Sequence, residues 1–192
     1  LDMRNNDGRL AALGLDLSKT RDMSALAIAL PVNDKLVELY CRLWVTEAYT
    51  IEEADKAPWL EWQAAGELTI IPGDIIQESY IREEFSRLCN LLDVRILVKD
   101  PALAADFTEW AEEKHGRVEQ IDHPQSSAMM EKPIDDFEAA IIDGGIIHEN
   151  NACLNWQAGH ASVKENARGQ RIIQKPKRDD YRKVDGMVAS IM

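Results

Sequence analysis

Three aspartates stand where their neighbours make a carboxylate costly: Asp16 in "LAALGLDLS" (10–18), Asp100 in "RILVKDP" (95–101) and Asp185 in "KVDGMVASIM" (183–192), and a further acid, Asp22, lies in the turn six residues after Asp16. In an extended strand successive side chains alternate faces, so Leu13, Leu15 and Leu17 point one way and Ala12, Gly14, Asp16 and Ser18 the other. Asp16 therefore lies on the face with the smallest side chains, where a ligand can approach. Asp100 closes an apolar run, and Pro101 cuts the strand ladder directly after it. Acids at the carboxyl ends of central strands in open α/β sheets lie where ligands bind. Asp185, Val188, Ala189 and Met192 follow the i, i+3, i+4, i+7 spacing beside the apolar stripe Val184, Val188, Ile191. Asp185 is thus on or next to the buried face of a helix rather than its wet face. Gly186 beside it weakens the helix but opens room for close approach.

Burying an unpaired carboxylate costs several kcal/mol, so such acids are paired or bind a metal. A hard divalent cation, Mg2+ or Mn2+, takes carboxylate oxygens and resolves the conflict. Two such ions about 3.5–4 Å apart clamp the attacking and leaving oxygens of a phosphoryl displacement. Each acid has a plain reading as well: turn chemistry for Asp100, a strand end for Asp16, and a first-turn acid facing the helix dipole for Asp185. Three of them on one order of elements favour a site.

That order begins with two strands, 10–18 and 24–32, joined by a short polar connection and therefore antiparallel. The turn pair Asn33-Asp34 leads to a third strand over 35–46, completing a meander. Thr50 and Glu53 make a capping box for a helical stretch over 50–66, which Pro58 splits into two short helices ended by Gly66. "ELTIIPG" is a short strand. Residues 77–93 carry a helical stripe of Tyr80, Ile81, Phe85, Leu88, Leu91 and Leu92. The strand 95–101 is compact and apolar, as a buried parallel strand is. A helix over 102–116, a strand over 117–124 and a helix over 127–145 with Pro133 at its first position follow. Between 145 and 180 the pattern is weaker: "ACLNWQAGHASV" reads as a helix running into a strand, and "RIIQKP" as part of an edge hairpin. A helix capped by Asp179 or Asp180 closes the chain. The fold class is α/β, a mixed sheet of an antiparallel three-strand meander plus parallel strands, flanked by helices. A right-handed crossover sets the strand 95–101 beside the first strand, which would bring Asp16 and Asp100 together.

The 192 residues, 45% hydrophobic and 29% charged, suit one domain with a real core. No apolar run approaches the ~20 residues that cross a bilayer, so no membrane partner is expected. The polar start is no signal peptide and lacks an initiator Met. With the abrupt end at "VASIM", this predicts a single domain, 1–192, excised from a longer chain. Cys41, Cys89 and Cys153 are odd in number and in no metal-ligand spacing, which predicts reduced core thiols and a cytoplasmic setting. His115, His123, His148 and His160 have no zinc spacing and are expected to be structural or on the surface. His123 follows the strand 117–124 and could lie near the acids, but it is not assigned to the site. The five tryptophans are expected in the core or at domain contacts. The net charge of −12 opposes nucleic-acid binding at first sight, yet the segment 164–183 holds eight basic and three acidic residues. It is +5 on a body of −17, so a local phosphate contact remains open beside the plain reading of a solvated loop.

With "LGLDLSKTRDMSALAIA" (13–29), "LTIIPGD" (68–74), "RILVKDP" (95–101) and "KVDGMVASIM" (183–192), the chain resembles the nuclease domain of phage large terminase subunits, which has a ribonuclease H-like fold. The likeness spans nearly the whole chain. It implies a two-metal-ion endonuclease cutting double-stranded, concatemeric viral DNA during packaging in the cytoplasm of the infected bacterial host. Asp16, Asp100 and Asp185 match the family's metal-binding, catalytic acids, and Asp22 matches a fourth acid seen near the site in some members. Lys99 stands where the family usually has an aromatic or small residue. Implied partners are double-stranded DNA, an ATPase domain of the same polypeptide, the small terminase subunit and the portal protein. The segment 164–183 is expected along the DNA backbone, with Lys175, Lys177, Arg178, Arg182 and Lys183 as phosphate contacts. No "GxxxxGK[ST]" occurs in this chain, so ATP hydrolysis is not expected of it. A junction resolvase or transposase-type nuclease would keep the acids and change the substrate, and a non-catalytic DNA- or motor-binding module would hold one structural ion.

Overall fold

The computed structural model describes residues 5–174 and 181–192. The meander forms as the alternation predicts: β1 (Leu10–Asp16), β2 (Ser24–Asn33) and β3 (Leu36–Thr46) pair antiparallel in sequence order. Helices α1 (Glu47–Glu52) and α2 (Trp59–Ala64) follow, then β4 (Thr69–Ile71), α3 (Glu78–Leu91) and β5 (Asp93–Lys99). Next come α4 (Ala105–His115), β6 (Glu119–Asp122), α5 (Ser127–Ile142), β7 (Ile146–His148) and α6 (Ala152–His160). The chain ends with β8 (Ser162–Glu165), β9 (Arg171–Gln174) and α7 (Asp185–Ile191).

The main sheet runs β4-β3-β2-β1-β5-β6. β5 lies parallel to β1, as a crossover carrying α3 allows. β7 also pairs with β3, parallel, over Val37–Leu39, while β4 takes Trp44–Thr46 further along the same strand. Between them the Glu149 carboxylate accepts from the Cys41 amide at 2.9 Å, so a side chain fills the gap left along β3. β8 and β9 form a separate antiparallel hairpin.

Two hydrophobic layers follow from the period of two. Leu13, Leu15, Leu26, Ile28 and Leu97 face α3 and α4, with Phe85 and Phe107 at the centre. Ala25, Ala27, Leu39, Cys41 and Leu43 face the other way, toward α6, α7 and the Trp59–Trp62–Trp156 cluster. That second face is built from small residues over β1 and β2, which lets α7 lie close against the sheet. All three cysteines are buried free thiols.

Several local expectations are corrected. Thr46, the last residue of β3, caps α1, its hydroxyl accepting from the Tyr49 amide at 3.2 Å; Thr50 is already inside the helix. Pro133 stands inside α5 rather than at its start. α7 begins at Asp185 after Val184, with no side-chain cap; Asp179 and Asp180 lie outside the described residues. β7 carried no sequence signal of its own, being three residues that become a strand by pairing with β3.

A candidate metal centre at the carboxyl ends of β1 and β5

Leu15 pairs with Lys99 in the parallel ladder, so Asp16 ends β1 level with Asp100, the residue that follows β5. Paired residues of neighbouring strands point to the same face. Gly14, Asp16, Val98 and Asp100 therefore share the α7 face, while Lys99 points the other way. The Lys99 side chain is buried, and its ammonium pairs with Asp122 of β6.

α7 delivers the third acid. Its axis crosses β1 and β2, and Gly14 permits the contact: a Cβ there would stand 2.0 Å from the Ala189 carbonyl oxygen. Gly186 is confined less rigidly, a Cβ meeting the side-chain ends of Leu154 at 2.9 Å and Leu43 at 3.0 Å. Gln157 of α6, fully buried, accepts from the Gly186 amide at 2.7 Å and so serves an N–H that no capping side chain reaches. Asp185 is thereby set at the first turn of α7 over the ends of the strands.

Asp22 arrives on the loop between β1 and β2, which is pinned nearly residue by residue. The Ser24 hydroxyl accepts from the Ser18 amide at 2.9 Å and donates to the Ser18 carbonyl at 3.1 Å. The Ile76 amide donates to the Lys19 carbonyl at 2.8 Å, and the Thr46 hydroxyl to the Thr20 carbonyl at 3.4 Å. Lys183 donates to the Arg21 carbonyl and, at 3.0 Å, to Asp22 Oδ1.

Asp16, Asp22, Asp100 and Asp185 all line one pocket of about 250 Å³, together with Ser18, Leu103 and Gln125. Burial, and after it the Asp185 carboxylate, pushes the Asp16 carboxyl well above the usual carboxylate range; Asp100 and Asp22 add to the rise. Gln125 opposes it by donating to Asp16 Oδ1 at 2.8 Å. Asp100 Oδ1 also accepts from the Ala102 amide at 3.0 Å, so the turn chemistry and the site coexist. The donor chemistry, four hard carboxylates on one pocket, fits a divalent cation. Among the described residues, no group of three or more His, Cys, Asp or Glu side chains is already arranged to hold one.

The expected basic contacts fare unevenly. Lys175, Lys177 and Arg178 lie outside the described residues. Arg182 is half-buried, its guanidinium 5.6 Å from the Tyr181 ring centroid. Lys183 is corrected: its side chain is only 2% exposed and its ammonium is turned inward to Asp22, because the segment entering α7 packs under α1 rather than over the surface. Arg171 ties β9 to α5 through Asp135 and Glu138. Sequence reading passed over Gln125 and Gln157. Gln125 sits in an irregular loop with no period to flag it. Gln157 is an interior polar residue of a helix otherwise lined with apolar ones, a pattern that asks for a partner. The histidines are structural where their partners are defined: His115 bonds the Ser86 hydroxyl at 2.9 Å, and His160 packs on Trp156. His123, two residues before Gln125, is tied to the end of β5 by its amide.

A family model described as "Terminase large subunit, endonuclease domain" matches residues 1–192. The chain is 27% identical over its full length to the terminase large subunit of Enterobacteria phage HK97 and, at the same identity, to protein YmfN of Escherichia coli K12. It spans 38% of the first and 44% of the second. The crystal structure of the HK97 large terminase superposes over 99% of this chain and 40% of its own, with a TM-score of 0.82 and 25% identity. The large terminase nuclease from thermophilic phage G20c with bound magnesium matches over 97% of this chain and 82% of its own, with a TM-score of 0.59 at 13% identity. The mixed sheet flanked by helices is thus the ribonuclease H-like fold of terminase nucleases.

Proposed function

The chain belongs to the family of terminase large subunit endonuclease domains, and on that premise we propose that it is a metal-dependent endonuclease that cuts double-stranded, concatemeric viral DNA during genome packaging. The observation that carries the reading is the meeting of Asp16, Asp22, Asp100 and Asp185, remote in sequence, on one pocket at the carboxyl ends of β1 and β5. That the G20c nuclease has structures with bound magnesium and with bound cobalt supports a divalent ion here, Mg2+ or Mn2+.

Asp16, at the centre, would face both ions, with Asp100 holding one side and Asp185 the other. Bound there, two divalent ions supply an activated water and charge stabilisation for the leaving 3′ oxygen. The chain's own part is placement. The β1–β5 register sets Asp16 level with Asp100, the Gly14–Ala189 contact sets the height of Asp185, and Gln125 orients one oxygen of Asp16. Hydrogen bonds to an oxygen of a ligating carboxylate tune ion affinity and ligand angle.

The basic segment would bring DNA to this pocket. Lys175, Lys177, Arg178 and Arg182 are the proposed phosphate contacts, giving salt-dependent affinity without sequence preference. The body's negative charge confines that contact to the segment. In the longer protein the partners would be an ATPase domain of the same polypeptide, the small terminase subunit and the portal protein, and the setting the host cytoplasm.

Cleavage of linear plasmid and of a four-way junction by the purified domain with Mn2+ tests the reading. Linear duplex is expected to be cut, and Asp16→Asn, Asp100→Asn and Asp185→Asn are each expected to abolish cutting without loss of fold. Cleavage of the junction alone would turn the assignment to a resolvase, and full activity in the three variants would remove the site.

A further inference from the structure

A lysine with 2% of its side chain exposed is unusual, because burying an ammonium is costly unless it is paired. Among the described residues, Lys183 meets that cost through the Asp22 carboxylate at 3.0 Å, the Arg21 carbonyl, and the Tyr49 ring with the ammonium 4.1 Å from its centroid. Tyr49 in turn donates its hydroxyl to the Tyr181 carbonyl at 3.1 Å, fixing the backbone two residues before Lys183. One side chain therefore clasps two segments that carry pocket acids, the β1–β2 loop with Asp22 and the approach to α7 with Asp185.

We propose that Lys183 is a positioning residue of the acid pocket: it holds Asp22 as its counter-ion, so that Asp22 lines the pocket without ligating a divalent ion, and it cancels one of the pocket's negative charges. The proposal rests on the reading of this pocket as a two-ion nuclease site.

The test is Mn2+ titration calorimetry on the folded domain, alongside duplex cleavage and the salt dependence of DNA binding. Asp22→Asn is expected to change Mn2+ affinity by less than about threefold, whereas Asp16→Asn weakens it about a hundredfold. Lys183→Met is expected to tighten Mn2+ binding about tenfold, because the released carboxylate turns to the ion, and to slow cleavage about tenfold with the salt slope of DNA binding unchanged. Asp22→Asn combined with Lys183→Met is expected to restore wild-type Mn2+ affinity, the non-additivity that a shared role demands. Asp22→Asn weakening Mn2+ as much as Asp16→Asn would make Asp22 a ligand and overturn the proposal. So would Lys183→Met lowering the salt slope by about one with Mn2+ affinity unchanged, the mark of a phosphate contact. Should Lys183→Met not fold, Asp22→Asn decides by the same threefold limit. Asp16→Asn leaving Mn2+ binding and cleavage intact would instead bring down the nuclease reading itself.

Discussion

Gly14 of β1 lies directly under Ala189 of α7, so close that a methyl group on Gly14 would stand 2.0 Å from the Ala189 carbonyl oxygen. The neighbour is backbone and cannot swing aside. This contact sets how near the first turn of α7, with Asp185, comes to the end of β1, with Asp16.

Gly14→Ala is therefore expected to lift α7. Overpacking of this kind costs about 1–3 kcal/mol or more, and the loss of cleavage should exceed what the loss of stability explains, because Asp185 moves with the helix. Thermal denaturation and Mn2+-dependent cleavage of the variant measure both. Wild-type values in both would show that the strand and helix yield without moving the acid.

Asp16→Asn is expected to stabilise the domain in chelator at neutral pH. The folded Asp16 carboxyl is raised, by burial and then by Asp185, above its ordinary value of about 3.9. The native state therefore holds its proton more tightly than the unfolded chain. The stability linked to that proton is present below the unfolded pKa and fades as pH climbs through the folded one. The melting-temperature advantage of Asp16→Asn should thus grow as pH rises from 4, then level off. Added Mn2+ should reverse the order by stabilising only the wild type. An advantage that shrinks with rising pH would contradict the electrostatic account.

Gln125→Ala removes the amide that donates to Asp16 Oδ1 at 2.8 Å. Loss of such an orienting bond costs about 10–100-fold in metal affinity or activity. Because Gln125 is only partly buried, the fold should hold. Mn2+ affinity and cleavage rate equal to wild type would leave Gln125 as a bystander.

Neutralising Lys175, Lys177 and Arg178 to Gln is expected to weaken binding to all duplex sequences alike and to lower the salt slope by about one for each contact removed. Filter binding across a salt series on two unrelated sequences measures it. Unchanged slopes would place the DNA elsewhere on the domain.

The period of two in "LAALGLDLS" set Asp16 on the small-residue face, the apolar run before Pro101 set Asp100 at a strand's carboxyl end, and the stripe through Val184 and Val188 set Asp185 beside the buried face. Each is a local pattern of three to eight residues, and each could be read because strand and helix periods are fixed by backbone geometry alone. Asp16 meets Asp100 because β5 returns beside β1, a pairing that the handedness of crossovers made predictable, while α7 and the β1–β2 loop bring Asp185 and Asp22 to the same pocket.

What tertiary structure decided is which distant group each side chain meets. Lys183 sits in a basic stretch and reads as a surface cation, yet its partners Asp22 and Tyr49 are more than a hundred positions earlier, and their approach buries it. β7 is a strand only because Val37–Leu39 offers an open edge, and Gln125 matters only because its loop ends over Asp16. Local spacing fixes which way a side chain points from its own element. The free energy that selects its partner comes from packing between elements, and no window of sequence contains that.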